Sequence, residues 1–301
     1  MSATNDFISS SSEEVPTSVS SKVGVSEPLQ EEQPEERSHA VGNNDTIDTL
    51  LNRRSIRRFE PTPIPKETTD LIERAAQRAA SSQFLNAWSA VRITDPTIKA
   101  ELAAIGNQTY IAEAPLLYVF ILDQRRNAAI AAKQGIDITS EDLSLRASYR
   151  FIQAQNDAVL ALHAMETAAE SLGLGCVILG SVLNDLDRLI TLLHLPQFTF
   201  PVLGLALGKP AQKPSLKPRM PRSMQFFDNQ YPSDFNDPGF DQSLKDFDST
   251  VHQYYDLRQA DRPVDAFSAQ IKRIASTQPS KLNDIMTFAP KQGFDVTPRE
   301  Q

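Results

Sequence analysis

Four arginines and one serine fall within residues 53–59 of the sequence, here called the basic segment. A guanidinium offers paired N–H donors that fit two oxygens of a phosphate, and a serine hydroxyl adds one more donor. The basic segment could therefore bind a phosphorylated ligand. Cations that follow a helix also complement the helix dipole while staying solvated. A short helix is predicted just before the segment, at residues 46–51, so the segment alone leaves both interpretations open.

A second group of cations lies in a proline-rich stretch after residue 209, which is predicted to be extended. It carries Lys213, Lys217, Arg219 and Arg222. Side chains two residues apart point to the same side of an extended chain, so Lys217 and Arg219 can act on one anion together. A solvated pair of surface charges is the alternative.

Other familiar chemistries are missing from the sequence. Gly173 and Gly175 close a predicted helix before a strand, whereas the glycines of a dinucleotide-binding fingerprint open a helix after a strand. No Walker A loop, catalytic-triad order or paired-carboxylate motif stands out. Because Cys176 is the single cysteine and the four histidines are not closely spaced, we expect neither a disulfide nor a metal site. An enzyme of this kind would depend on a cofactor that carries the reactivity.

The composition limits the class of protein. The chain has 301 residues, 40% of them hydrophobic, and a formal net charge of -8. That charge disfavours general nucleic-acid binding, which needs a basic face. Because no apolar run reaches membrane-spanning length and the N-terminus lacks the order of a signal peptide, we expect a cytoplasmic protein that does not bind membranes.

Residues 1–44 are rich in Ser, Glu, Pro and Gln and contain few large apolar residues. Such a segment cannot bury enough surface to offset its ordering entropy, so we predict a disordered acidic tail. Residues 45–301 are predicted to form one domain, with a C-terminal helical excursion over about residues 226–301.

The elements that would position the basic segment follow from hydrophobic periodicity. Strands are predicted at residues 90–94, 114–123, 176–180 and 200–208. Helices are predicted at residues 65–76, 96–105, 145–172, 186–193, 247–257, 267–275 and 281–288. The helix at 145–172 is apolar on nearly all sides, which indicates burial in the core or in a subunit interface. We expect His163 on this helix to be a buried, hydrogen-bonded residue rather than a ligand. The segregation of helices and strands indicates the α+β class.

Several short stretches together resemble the nitroreductase-fold flavoproteins, and most closely the oxygen-insensitive NADPH nitroreductase and NADPH-flavin oxidoreductase subgroup. The matching stretches are residues 54–59, 81–85, 92–95, 168–175, 193–196, 216–219 and 291–293. Each stretch is short, but their order and spacing are specific. The resemblance implies an α+β fold with a central mixed sheet flanked by helices, and a homodimer with two FMN sites at the subunit interface.

The resemblance also implies a set of cofactor-binding residues. The FMN phosphate would be held by Arg53, Arg54, Ser55, Lys217 and Arg219. The flavin ring would be approached at its pyrimidine edge by Arg57 and Gln108, and near its redox-active face by main-chain groups of Leu179, Gly180 and Ser181. The loop with Ser81 and Ser82 would reach across from the other subunit. The 2′-phosphate of NADPH would be bound by Arg258 and Arg262, where an arginine can grip two oxygens at once.

The function implied by the resemblance is an FMN-dependent NADPH oxidoreductase. It would reduce nitroaromatics, quinones or free flavin by ping-pong hydride transfer, with FMN rather than a side chain carrying the chemistry. Two alternatives stay open at this point. One is a flavin-holding or flavin-sensing protein without productive turnover, and the other is an interaction scaffold whose tail matters most.

Overall fold

The computed structural model describes residues 44–256 and 265–296. Its helices are α1 (Asp45–Leu51), α2 (Lys66–Ala76), α3 (Pro96–Gly106), α4 (Tyr110–Glu113), α5 (Arg125–Lys133), α6 (Ser148–Ser171), α7 (Leu186–Leu192), α8 (Pro238–Asp256), α9 (Phe267–Ser276) and α10 (Ile285–Lys291). Its strands are β1 (Trp88–Arg92), β2 (Leu116–Asp123), β3 (Gly175–Leu179) and β4 (Thr199–Gly208). The protein is therefore of the α+β class, as the sequence predicted.

The four strands form one sheet in the order β1-β2-β4-β3, and every pair of neighbours is antiparallel. A bulge interrupts the β2–β4 pairing between Phe120 and Ile121. The sheet was expected to be mixed. The four strands are instead antiparallel throughout, and the parallel bridge between Ser55 and Cys176 beside β3 lies outside the named strands.

Helices cover both faces of the sheet because β2 is apolar on both sides. Tyr118 and Phe120 pack with α2 and α6 in one core cluster, whereas Leu117 and Val119 pack with α3 and α7 in another. Successive side chains of a strand point to opposite faces, so a continuous apolar run requires cover on each face. This arrangement leaves the ends of the strands and the ends of α6 as places where polar groups can gather.

Helix α6, predicted to be apolar on nearly all sides and buried in the core or in a subunit interface, is only partly buried within one chain. One side lies in the core, with Phe151 and Ala158 buried. Another side carries exposed large apolar residues, among them Ile152 and Leu160. The expectation that His163 is buried was wrong, since its side chain is 56% exposed. The expected hydrogen bond is present, because His163 Nδ1 lies 3.3 Å from Glu166 Oε2. Composition alone could not distinguish a core face from an apolar face left open in a single chain.

The predicted strands and helices are all present, but several differ from the prediction at their ends. Strand β1 begins two residues before the predicted start, and α8 begins at Pro238 rather than near residue 247. Helices α4 and α5 were not predicted. The stretch from residue 209 to residue 221 contains no helix or strand, as expected. Within the described residues, no helix has the length and apolar character needed to cross a membrane.

Candidate functional site

The basic segment lies beside the start of β3. The amide of Ile56 donates to the carbonyl of Cys176 at 2.8 Å, and farther along Ala211 N donates to Arg58 O at 2.9 Å. Close approach is possible because Gly175 has no side chain: a Cβ there would meet Ile56 at 2.7 Å. The segment is therefore fixed between β3 and the chain that leaves β4.

A cleft of about 500 Å³ opens next to this segment, here called the basic cleft. Its charged lining residues are Arg53, Arg54, Lys213 and Glu170. The Nε atom of Arg54 is buried and has no hydrogen-bond partner among the described residues. Buried donors are almost always paired in proteins, so an unpaired one indicates a place for an acceptor. The cleft thus combines cations with an unsatisfied donor.

A buried carboxylate, Glu166 on α6, orients one of these cations. The Nε and Nη2 atoms of Arg53 donate to Glu166 Oε1 at 2.9 and 2.6 Å. Glu166 is 1% exposed, and Arg53 also reaches Ser55 Oγ at 3.4 Å. One turn along α6, burial and then the negative charge of Glu166 raise the pKa of Glu170 to about 7. The charge of Arg53 is therefore shared with a carboxylate, whereas Arg54 forms no ion pair with an acidic side chain of the described residues.

The opposite end of β3 borders a cleft that is mostly apolar rather than charged. Gly180 is exposed, and a Cβ placed on it would meet nothing within 4 Å. The hydroxyl of Ser181 donates to Gln108 Oε1 at 3.1 Å, and Tyr110 Oη donates to the same atom at 2.5 Å. A cleft of about 370 Å³, here called the Gly180 cleft, is lined mostly by apolar residues, with Leu183, Val202 and Leu203 among them. At about 3.3 Å per residue, Gly175 and Gly180 lie roughly 16 Å apart along the chain.

The loop with Ser81 and Ser82 is held on α6 of its own chain. Ser81 Oγ donates to Asp157 Oδ2 at 2.7 Å, and Ser82 N donates to Asp157 Oδ1 at 2.9 Å. Asp157 precedes Glu166 by nine residues, which is about 13.5 Å along a helix. Within one chain the structure therefore does not bring Ser81 and Ser82 together with the basic cleft.

The remaining predicted residues that the structure describes do not lie at the basic cleft. Lys217 and Arg219 are exposed, and Arg219 Nη1 donates to the carbonyls of Lys217 and Pro218 at 2.9 and 3.3 Å. Neither lines the basic cleft, whereas Lys213 does. Arg57 is partly buried next to Ile56. Arg258 and Arg262 lie outside the described residues.

Sequence reasoning did not single out Glu166, Glu170 or Asp157, and it left Lys213 as one cation among several. Lys213 had a usable signal, since it belongs to the same proline-rich stretch as Lys217. The two glutamates stand four residues apart on α6, and that spacing puts both on one side of a helix. Nothing local indicated that this side faces Arg53.

The chain matches two family models. One, described as the nitroreductase family, covers residues 50–209, and the other, the nitroreductase family C-terminal domain, covers residues 217–297. A relative from Bacillus subtilis (strain 168), called FMN reductase (NADPH), is 33% identical over 254 residues, which is 84% of this chain and 99% of the relative. An NADPH-dependent oxidoreductase of Staphylococcus saprophyticus is 33% identical and covers 81% of this chain and 96% of the relative.

Solved structures with a similar fold include a nitroreductase and an NADPH:FMN oxidoreductase. The NfrA1 nitroreductase of B. subtilis superposes with a TM-score of 0.76 at 32% identity, over 83% of this chain and 98% of the other. The NADPH:FMN oxidoreductase of Vibrio harveyi, solved with NAD+, gives a TM-score of 0.73 at 28% identity, over 84% and 100% of the two chains. Because the family models and the relatives span most of the chain, this protein belongs to the nitroreductase family.

Proposed function

We propose that this chain is an FMN-dependent NADPH oxidoreductase that reduces a small acceptor, such as a nitroaromatic, a quinone or free flavin, with ping-pong kinetics. The observation that carries the proposal is the pairing of the basic cleft and the Gly180 cleft along β3. The first suits an anionic group, and the second suits a flat, largely apolar ring. The names of the B. subtilis relative and of the V. harveyi structure support the same activity.

The residues present fit FMN. The unpaired Nε of Arg54 needs an acceptor, which a phosphate oxygen supplies, and Lys213 adds a second positive charge. Charge-assisted hydrogen bonds of this kind are about twice as strong as neutral ones. At the other end, the open space beside Gly180 lets a ring approach the backbone. The unpaired donor and the open space beside the backbone are both present in a single chain.

Each part of the chain has its own role in this proposal. FMN, when bound, supplies the two-electron redox chemistry. Its phosphate is held by Arg53, Arg54, Ser55, Lys217 and Arg219, and its ring is bordered by Arg57, Gln108, Leu179, Gly180 and Ser181. A fixed cation such as Arg57 stabilises negative charge on a reduced ring without reorganising. No side chain of the proposed site serves as a nucleophile or metal ligand.

The proposal includes a homodimer. Asp157 binds the loop with Ser81 and Ser82 on one side of α6, whereas Gln155 and Val159 face the Gly180 cleft on another side. Gln155 and Val159 each stand two residues from Asp157, which is a rotation of about 200° around the helix axis, so α6 separates the loop from the cleft of its own chain. A second copy would let each loop reach the site of the other subunit. The exposed apolar side chains of α6 would then be covered.

Two further parts of the proposal concern segments outside the described residues. Arg258 and Arg262 are proposed to bind the 2′-phosphate of NADPH, which offers two charged oxygens where NADH offers a hydroxyl. Residues 1–44 are proposed to be an acidic tail that the activity does not require. The remainder, residues 45–301, is proposed to be a single FMN-binding domain.

The test is spectroscopic. Purified protein should carry flavin absorbance, and anaerobic NADPH should bleach it, with NADH acting less effectively. Added nitroaromatic or quinone should then restore the colour. A protein that retains no flavin absorbance after incubation with FMN and gel filtration would contradict the cofactor assignment. A protein that holds flavin but is not bleached by NADPH would contradict the oxidoreductase assignment.

A further inference from the structure

The loop of residues 81–86 has an unusual backbone. Gln83, Phe84 and Asn86 have φ angles of 52°, 59° and 46°, in the left-handed region that residues with a side chain rarely adopt. Such conformations persist only when the surroundings enforce them, and they concentrate at functional sites. Phe84 is also 85% exposed, so its burial does not stabilise the loop.

A single carboxylate ties both ends of this loop together. Asp157 accepts from Ser81 Oγ and Ser82 N at the start of the loop, and from Ala87 N at 3.1 Å just after it. Ser81 Oγ in turn accepts from Asn86 N at 2.7 Å, which closes the loop on itself. Asp157 is 2% exposed, so water does not compete for these bonds.

A second set of contacts fixes the middle of the loop. Gln153, one turn before Asp157 on α6, donates from Nε2 to Ser82 Oγ at 2.7 Å. Arg150 Nη1 donates to the side chains of both Gln83 and Gln153, at 2.6 and 2.7 Å. The loop is thus held by three residues of α6 that are spaced three and four positions apart and so lie on one side of the helix. An exposed loop is therefore fixed by several side-chain hydrogen bonds to one helix.

We propose that Asp157 is a positioning residue for the cofactor site. It holds residues 81–86 in a strained shape so that Ser81 and Ser82 are already arranged when they meet the site of the second subunit. The inference rests on the proposed function, since it gives the loop its target. Asp157 itself does not touch the cofactor, and it acts through the loop.

The substitution Asp157→Asn tests this with little change in volume. An amide offers one acceptor oxygen, and its NH₂ group opposes one of the donors that now point at Asp157. We expect FMN to bind about tenfold more weakly, as measured by flavin fluorescence well below the melting temperature. The visible circular dichroism of the bound flavin should also change. Asp95→Asn is the matched control, because Asp95 accepts from two backbone amides at the start of α3, away from the loop.

A double-mutant cycle separates positioning from general stability. If Asp157 acts through Ser81, then Asp157→Asn and Ser81→Ala should have clearly non-additive effects on the FMN dissociation constant. Should Asp157→Asn not fold, Gln153→Met removes the second tie to Ser82 while keeping side-chain length, and a weaker form of the same loss is expected.

Failure of the inference and failure of the proposed function look different. Wild-type protein that does not bind FMN would overturn the proposed function. Wild-type protein that binds FMN, together with an Asp157→Asn protein whose affinity and flavin dichroism match it, would overturn the role of Asp157. Additive effects in the cycle would also overturn it.

Discussion

At the start of β3, Arg53, Arg54 and Lys213 face a cleft that also holds Glu170, whereas at its end Gly180 borders a cleft lined mostly by apolar groups. The first end is crowded: a Cβ on Gly175 would lie 2.7 Å from Ile56, whereas a Cβ on Gly180 would meet nothing. The comparison gives the two ends different roles in the proposed function. One end would supply affinity through charge, and the other would supply space for the ring of the cofactor.

The largest effect should come from removing the charge at the first end. Arg54→Ala deletes the guanidinium whose buried Nε lacks a partner. Loss of a charge-assisted contact costs about 1.5–3 kcal/mol, which is a ten- to hundredfold loss of FMN affinity. Isothermal titration with FMN measures it. Arg58→Ala is the control, because Arg58 belongs to the same segment and is exposed; equal losses in both would show that only net charge matters.

A second pair of variants tests whether Lys213 and Arg219 both contribute to FMN binding. Lys213 lines the cleft, while Arg219 bonds to carbonyls of its own segment but is proposed to contact the phosphate. We expect Lys213→Ala and Arg219→Ala each to weaken FMN binding by about tenfold, as one charge-assisted contact would. Flavin content after gel filtration reports the result. Full retention of FMN by Arg219→Ala would remove Arg219 from the site.

The two glycines compare the ends of β3 directly. Gly175→Ala forces Ile56 to move, and overpacking of this kind costs about 1–3 kcal/mol of unfolding free energy. Gly180→Ala should leave thermal stability unchanged and lower turnover, since its methyl group enters the space proposed for the ring. Denaturation curves and steady-state rates on the same two proteins provide the measurement. Equal stability losses would mean that both ends are structural.

The smallest effect concerns pH at the first end. Burial and Glu166 raise the pKa of Glu170 from 4.5 to about 7. The folded chain therefore holds a proton that the unfolded chain releases between these values, so stability from this group is present at low pH and is lost as pH rises through about 7. Because Glu170 is partly exposed, we expect only about 1 kcal/mol, a melting shift of about 2–4 °C.

Glu170→Gln supplies the control for that pH effect. Glutamine cannot ionise, so the variant should be more stable than wild type at pH 8 and nearly equal to it at pH 5. Thermal melts of the two apo proteins across that range make the comparison. A wild-type curve that runs parallel to the variant curve would show that Glu170 does not titrate in this window.

Much of the fold could be predicted because its signals are local. The apolar run of β2 and the glycine that ends α6 with a φ of 78° are properties of neighbouring residues. The N-cap at Asp95 is another, since its side chain accepts from Thr97 N and Ile98 N. The candidate site was predicted only as a set of residue types, and the family resemblance supplied its arrangement.

What the sequence determined by itself is the position of the four strands and of most helices, and that cations occur at residues 53–59 and again after residue 209. What the tertiary structure decided is which groups meet. Arg53 pairs with Glu166 across 113 residues, and Asp157 binds Ser81 across 76. It also left His163 exposed rather than buried. Contacts of that separation depend on how α6 packs against the sheet, which is set by the whole core and not by any one stretch of the chain.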